Sequence, residues 1–270
     1  MTTVADVMDA LERRFPLDLA ESWDVNGLSV GHPDAPVTRI LFAVDPVLAV
    51  VEEAIEEGCD MIVTHHPLML RGVTTVHAGT AKGAVVHRLI ENGIALYNAH
   101  TNADAAGSGV ADALAVALGV TGGIPLVPLP GDAEQGTGRI GRLDAPMTLA
   151  EFAGRASQAL PETMHGVRVA GDLTGDVRTV AVVGGAGDSF LDAAAAAGAD
   201  VYVTADLRHH PASEARESAM LRDGRPYLVD VAHYASEWTW LTAAAEYVGD
   251  AAGIDTIVST LTTDPWNARF

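Results

Sequence analysis

Short runs of β-branched and aliphatic residues alternate along the chain with stretches whose apolar positions recur every three or four residues. Val4, Val7, Met8 and Leu11 share one helical face. Arg39 to Val44 (RILFAV) then reads as a strand, Pro46 to Glu57 as the helix that follows, and Met61 to Thr64 as the next strand. Lys82 to Asn92 predicts a helix ended by Gly93. Ile94 to Ala99 predicts a strand opening into His100-Thr101-Asn102-Ala103-Asp104, and Val110 to Leu118 a helix that stops at Gly119. Alternation of this kind builds an α/β fold, with mixed, mainly parallel sheets flanked by helices.

Between Thr121 and Thr137 the turn-formers Gly122, Gly123, Pro125, Pro128, Pro130 and Gly131 crowd together, which predicts a linker. The expected organisation is therefore two lobes, 1–125 and 126–270. Beyond the linker the alternation resumes. Strands are expected near Gly138 to Leu143, Val177 to Val183, Val201 to Thr204, Tyr227 to Val231 and Thr256 to Thr260, and helices over Leu149 to Leu160 and Asp188 to Ala197.

The two halves carry a weak repeat. Gly58-Cys-Asp-Met-Ile-Val-Thr64 matches Gly198-Ala-Asp-Val-Tyr-Val-Thr204, and about thirty residues later each half reaches Ala-His, at Ala99-His100 and Ala232-His233. A carboxylate follows each histidine at the fourth position, Asp104 and Glu237. The repeat predicts two related lobes facing each other.

Sixteen Lys and Arg against 36 Asp and Glu give a net charge of −20. Such a field repels phosphate backbones and anionic membrane surfaces, so nucleic acid and membrane are not expected partners. Met1 to Asp9 lacks a basic stretch followed by an apolar one, and the longest apolar segment, Ile40 to Val51, is broken by Asp45 and Pro46. The single cysteine, Cys59, can form no internal disulfide and lies at an apolar helix-to-strand junction. A cytoplasmic location is the expectation.

Ten histidines outnumber the five phenylalanines and four tryptophans, and their positions are specific. Thr64-His65-His66-Pro67 leaves a strand at its carboxyl end, where functional crevices of open α/β sheets lie. Adjacent residues leaving a strand point apart, so the pair suits two neighbouring ions better than one. A polar pair satisfied by backbone groups is the plainer alternative. His100 with Asp104 and His233 with Glu237 follow two further strands. Imidazole with carboxylate is the donor set of zinc, iron, manganese, cobalt or nickel, whereas calcium takes oxygens alone. Five side chains cannot fill two coordination shells, and open positions mark catalytic sites. His100 either completes a shell, steadies a ligand, or acts on substrate as acid or base.

Trp23-Asp24 with Asn26-Gly27-Leu28, Thr64-His65-His66-Pro67-Leu68, His100-Thr101-Asn102-Ala103-Asp104, Gly184-Gly185-Ala186-Gly187, Thr204 through His210, and His233-Tyr234-Ala235-Ser236-Glu237 occur in this order. In that conjunction the chain resembles the family of NGG-interacting-factor-three-like proteins, often called GTP cyclohydrolase type 2 homologs. The resemblance runs from about Val4 to Ile257. It implies a two-lobed α/β protomer, a centre of two divalent metal ions in the cleft between lobes, and a toroidal homohexamer. By motif, the metal ligands fall on His65, His66, Asp104, His233 and Glu237, with Glu237 as the bridge the family pattern favours and Asp104 as the alternative. His100 and Glu237 are the candidate catalytic residues.

The implied activity is metal-dependent hydrolysis by an activated water, acting on a small molecule such as a nucleotide. A non-enzymatic metal-binding hexamer for metal handling or partner binding is the alternative. Three departures from the family pattern are visible. Asp24-Val25-Asn26-Gly27 stands for Asp-Asn-Val-Gly, Ala232 for Gly, and Pro211 for Asp. None removes a candidate ligand.

The Gly184–Gly187 turn could cradle a phosphate, but lacking a basic neighbour it suits a purely geometric role. Trp23, Asp24 and Asn26 either support the cleft or begin a strand, and Asp45 is placed to hydrogen-bond a metal ligand. His209 and His210 resemble a family feature near the cleft, with surface residues before a helix-starting Pro211 as the plainer account. Trp238 and Trp240 read as core or subunit contact.

Overall fold

Two similar successions of elements, each with one capping box, make up the computed structural model, which describes residues 1–270. In the first, Thr3 Oγ1 accepts from the Asp6 amide while Asp6 Oδ2 accepts from the Thr3 amide. Helix α1 (Val4–Arg14) follows and buries Val4, Val7, Ala10 and Leu11. Then come β1 (Gly27–Val30), β2 (Arg39–Ala43), α2 (Leu48–Glu56), β3 (Met61–Thr64), α3 (Ala81–Asn92), β4 (Ala95–Asn98) and the short α4 (Thr101–Ala105). Helix α3 is capped by Thr80, whose hydroxyl accepts from the Gly83 amide, and it ends at left-handed Gly93 (φ 66°).

The second succession starts with α5 (Val110–Ala117), β5 (Val120–Pro128) and β6 (Gly136–Thr148). Its capping box pairs Thr148 with Glu151 at the head of α6 (Leu149–Ala159). After it come β7 (Arg168–Ala170), β8 (Asp176–Ala186), a helical turn at Asp188–Phe190 continuing into α7 (Leu191–Ala196), β9 (Val201–Ala205), α8 (His209–Met220), β10 (Tyr227–Val231) and α9 (His233–Trp238). The chain closes with α10 (Trp240–Ala252) and β11 (Asp255–Val258).

The chain divides into a unit of Met1–Ala106 with Leu241–Thr263, and a unit of Gly107–Trp240 with Asp264–Phe270. The first holds a five-stranded sheet in the order β1-β4-β3-β2-β11, all parallel except β1. Leu41, Ile62 and Leu96 of that sheet pack on Val51, Val85 and Leu89. The second holds a six-stranded sheet, β5-β6-β8-β9-β10-β7, in which β8, β9 and β10 run parallel. Ala181, Tyr202 and Leu228 pack there with Leu191 and Ala194. Each large aliphatic side chain buried in this way contributes about 1.5–3 kcal/mol relative to exposure.

The repeat read from sequence is a repeat of topology. The order β2-β3-β4-β1 of the first sheet matches β8-β9-β10-β7 of the second, each closed by an antiparallel edge strand. Asp60 and Asp200 play the same part. Asp60 Oδ2 accepts from the Thr38 and Arg39 amides, and Asp200 Oδ2 from those of Arg178 and Thr179. Each ties the start of one strand to the loop before the next.

The division differs from the expected 1–125 and 126–270 in two ways. Helix α5 belongs with the second sheet, whereas α10 and β11 return to the first, where β11 pairs with β2. The expected linker over 121–137 contains β5 instead. Its Pro125 and Pro128 are tolerated because β5 is an edge strand, and a register shift between Thr121 and Ile124 absorbs left-handed Gly122 (φ 63°). Cys59 lies buried in the first core, as its apolar setting suggested.

Candidate metal centre

The first cluster grows from the carboxyl ends of β3 and β4. Thr64 Oγ1 donates to the His66 carbonyl at 2.8 Å and so shapes the turn that carries both histidines. His65 is buried, with Nδ1 3.0 Å from the Ala99 carbonyl oxygen. His66 Nδ1 lies 2.7 Å from Asp45 Oδ1, and His100 Nδ1 lies 2.8 Å from Asp24 Oδ1. A carbonyl or an ionised carboxylate can only accept, so each imidazole carries its proton on Nδ1 and turns the Nε2 lone pair the other way.

The three rings converge. His65 and His66 have centroids 5.1 Å apart, His65 and His100 5.1 Å, and His66 and His100 5.5 Å. One ligand atom from each lies within 4.8 Å of the other two. Asp104, one helical turn beyond His100, brings Oδ1 to 3.7 Å from His65 Nε2. Divergent as they leave the strand, His65 and His66 still reach one cluster.

Asp24 is the post to which this arrangement is tied. Its carboxylate is fully buried and accepts from His100 Nδ1, the Val25 and Thr101 amides, Asn26 Nδ2 and the Thr101 hydroxyl. Burial pushes its pKa up, but the hydrogen bonds and the imidazole outweigh burial and hold it well below the usual carboxylate range. Asn26 Oδ1 accepts from the His100 amide at 2.7 Å. Asp24 and Asn26 thus hold His100 and Thr101 in place, and they also lead directly into β1.

The second cluster sits at the end of β10. His233 opens α9 and Glu237 follows at i+4, on the same helical face. His233 Nε2 is 3.0 Å from Glu237 Oε1, and Nδ1 is 2.8 Å from Asp206 Oδ2. Burial works against the His233 imidazolium, but Glu237 and Asp206 outweigh it and push the pKa up to about 11. Two carboxylates around one imidazole make this a place that favours added positive charge.

The glycine-rich turn explains itself here. Gly185 is left-handed (φ 66°), and a Cβ on it would overlap Glu237 Oε1 and lie 3.1 Å from His233 Nε2. Its amide donates to Ser236 Oγ, and its carbonyl accepts from Thr204 Oγ1. The turn fastens β8 to α9 and leaves room for the Glu237 carboxylate, which is the geometric role.

His209 and His210 are exposed at the start of α8, with ring centroids 5.2 Å apart. Trp240 is fully buried. One residue was missed by sequence reasoning, Asp206, two positions beyond Thr204. The repeat aligns Thr204-Ala205-Asp206 with Thr64-His65-His66, so an acid at the position of the candidate ligand His66 was the available signal.

The donor set fits divalent transition metals. Histidines that ligate metals nearly always donate their other ring N–H to a carboxylate or carbonyl, and His65, His66, His100 and His233 all do so. Neutral nitrogen with carboxylate oxygen suits zinc, iron, manganese, cobalt or nickel.

The model of the Duf34/NIF3 (NGG1p interacting factor 3) family matches residues 2–265. The chain belongs to the NIF3 family. A Streptomyces coelicolor relative named GTP cyclohydrolase 1 type 2 homolog is 52% identical, over 100% of this chain and 95% of that one. Among solved structures, a Bacillus cereus protein related to NIF3 matches with a TM-score of 0.89 at 26% identity, covering 99% of each chain. A Staphylococcus aureus hypothetical protein matches at 0.88 and 30% identity, with the same coverage. Like the two-lobed NIF3 fold that the motifs implied, this chain is mixed α/β with two sheets flanked by helices. No helix is long and apolar enough to cross a membrane.

Proposed function

We propose that this NIF3 protein is a metal-dependent hydrolase with two divalent ions per protomer. His65, His66 and His233 hold the ions through Nε2, and Asp104 and Glu237 through carboxylate oxygens. The observation that carries the reading is the uniform pinning of Nδ1. Every candidate histidine gives that proton to an oxygen acceptor, which fixes its ring and raises the donor strength of Nε2.

Bound ions would supply Lewis acidity, acidifying water and polarising an electrophilic carbon or phosphorus. The chain's own contribution is orientation and proton transfer. Asp24 engages the His100 ring through Nδ1, which leaves Nε2 as the atom at which His100 can take and return a proton. Glu237, buried against His233, contributes a carboxylate whose place depends on Gly185.

A toroidal homohexamer in the cytoplasm, acting on a small molecule such as a nucleotide, completes the proposal. The test is Glu237→Gln on metal-replete protein assayed against a panel of nucleotides, phosphoesters and cyclic amides. The hydrolase reading expects a metal-dependent product from wild type, lost in the variant, with sedimentation of both as hexamers. Absence of any product, together with a partner protein co-purifying in fixed ratio, supports the scaffold alternative.

A further inference from the structure

We propose that Trp23 is a stacking platform for a planar heteroaromatic ring, which makes the ligand of the histidine cluster a flat heterocycle and not an aliphatic ester or amide. The proposal deepens the hydrolase reading and rests on it for the location of the chemistry.

Single exposed apolar residues are common and mean little. Trp23 differs in three respects. Trp23 is 59% exposed, yet the carboxylate of its neighbour Asp24 is shielded from solvent and hydrogen-bonded by five donors, so the indole stands on a fastened turn. Its ring meets His100 edge to face, with centroids 6.1 Å apart and planes at 81°. His100 in turn lies 5.1 Å from the His65 ring and 5.5 Å from the His66 ring.

An open indole against His100 of the cluster, carried on a turn that is already fixed, offers a π-face at low ordering cost. A flat ring laid on it lies beside His100, the residue assigned to proton transfer. Stacking of a base on an aromatic side chain is indifferent to base identity, so the platform selects for planarity before it selects for any particular base. Aliphatic substrates gain little from such a surface.

The test compares guanosine 5′-monophosphate with ribose 5-phosphate, probes that share sugar and phosphate and differ in the ring. Affinities are measured by calorimetry on wild type, Trp23→Phe and Trp23→Ala, each metal-free and manganese-loaded. Wild type is expected to prefer the base-bearing probe by about five- to hundredfold. Trp23→Ala should abolish the preference without changing ribose 5-phosphate affinity, and Trp23→Phe should keep most of it. The exposed position predicts unchanged thermal midpoints in both variants. Equal affinity of wild type for the two probes, no measurable binding of guanosine 5′-monophosphate, or a preference that survives Trp23→Ala overturns the platform. Turnover is scored separately: an inactive protein that passes the binding contrast loses the hydrolase reading alone, and an active one that fails it loses the platform alone.

Discussion

Gly185 and Glu237 exclude one another's neighbours: any side chain at 185 would occupy the space of Glu237 Oε1. Glycine is also the residue that tolerates φ 66° without penalty. Gly185→Ala is therefore expected to lose about 1–3 kcal/mol of stability and to displace the Glu237 carboxylate from His233. Urea unfolding measures the first, and elemental analysis of the dialysed protein measures the second as reduced metal retention. A variant that keeps wild-type metal content contradicts the spacing argument.

Asp24→Asn should cost about 3 kcal/mol, because the amide replaces a buried charge-assisted acceptor for five donors and puts an N–H where an acceptor is needed. The native pKa of Asp24 is depressed, so its contribution is present above the ordinary carboxylate range and is lost as pH falls through the native value. Wild type should therefore lose stability on acidification more steeply than the variant. Chemical denaturation at several pH values between neutrality and acid distinguishes the two, and parallel curves would remove Asp24 from the account.

The Cys59 thiol is pushed up to about 11, chiefly by burial and against the pull of Arg39. Thiolate is the reactive form, so at pH 8 alkylation should run about a hundredfold or more below the rate of a free cysteine. A pKa raised by folding stabilises the native state below the thiol's unfolded value and loses that contribution as pH climbs toward 11. Mass spectrometry after iodoacetamide treatment should show an unmodified native protein and complete labelling in denaturant. Rapid native labelling would place Cys59 outside the core.

Much of this architecture was legible because buried parallel strands write themselves as apolar runs. RILFAV and MIVT, with the Gly93 and Gly119 stops, appear where the hydrophobic pattern puts them. The repeat was legible through Asp60 and Asp200, whose side chains recur for a backbone reason. Strand β5 was not, since Gly122, Pro125 and Pro128 carry turn chemistry and only an edge position with a bulge reconciles them with pairing. The return of β11 to the first sheet was equally hidden, because strand order is set by long-range pairing that no local pattern records. In the clusters, histidines and acids were read from strand-end positions, whereas Asp206 holding His233 Nδ1 needed three dimensions.

The central claim is that two pinned imidazole and carboxylate clusters serve divalent metal. The most direct measurement is metal stoichiometry by elemental analysis of protein loaded with zinc or manganese and then dialysed, for wild type, His66→Ala and His233→Ala. Two ions per wild-type chain, with a loss in each variant and an unchanged thermal midpoint of the metal-free forms, is the predicted result. A wild-type protein that retains no stoichiometric metal, or variants that retain as much as wild type, would contradict it.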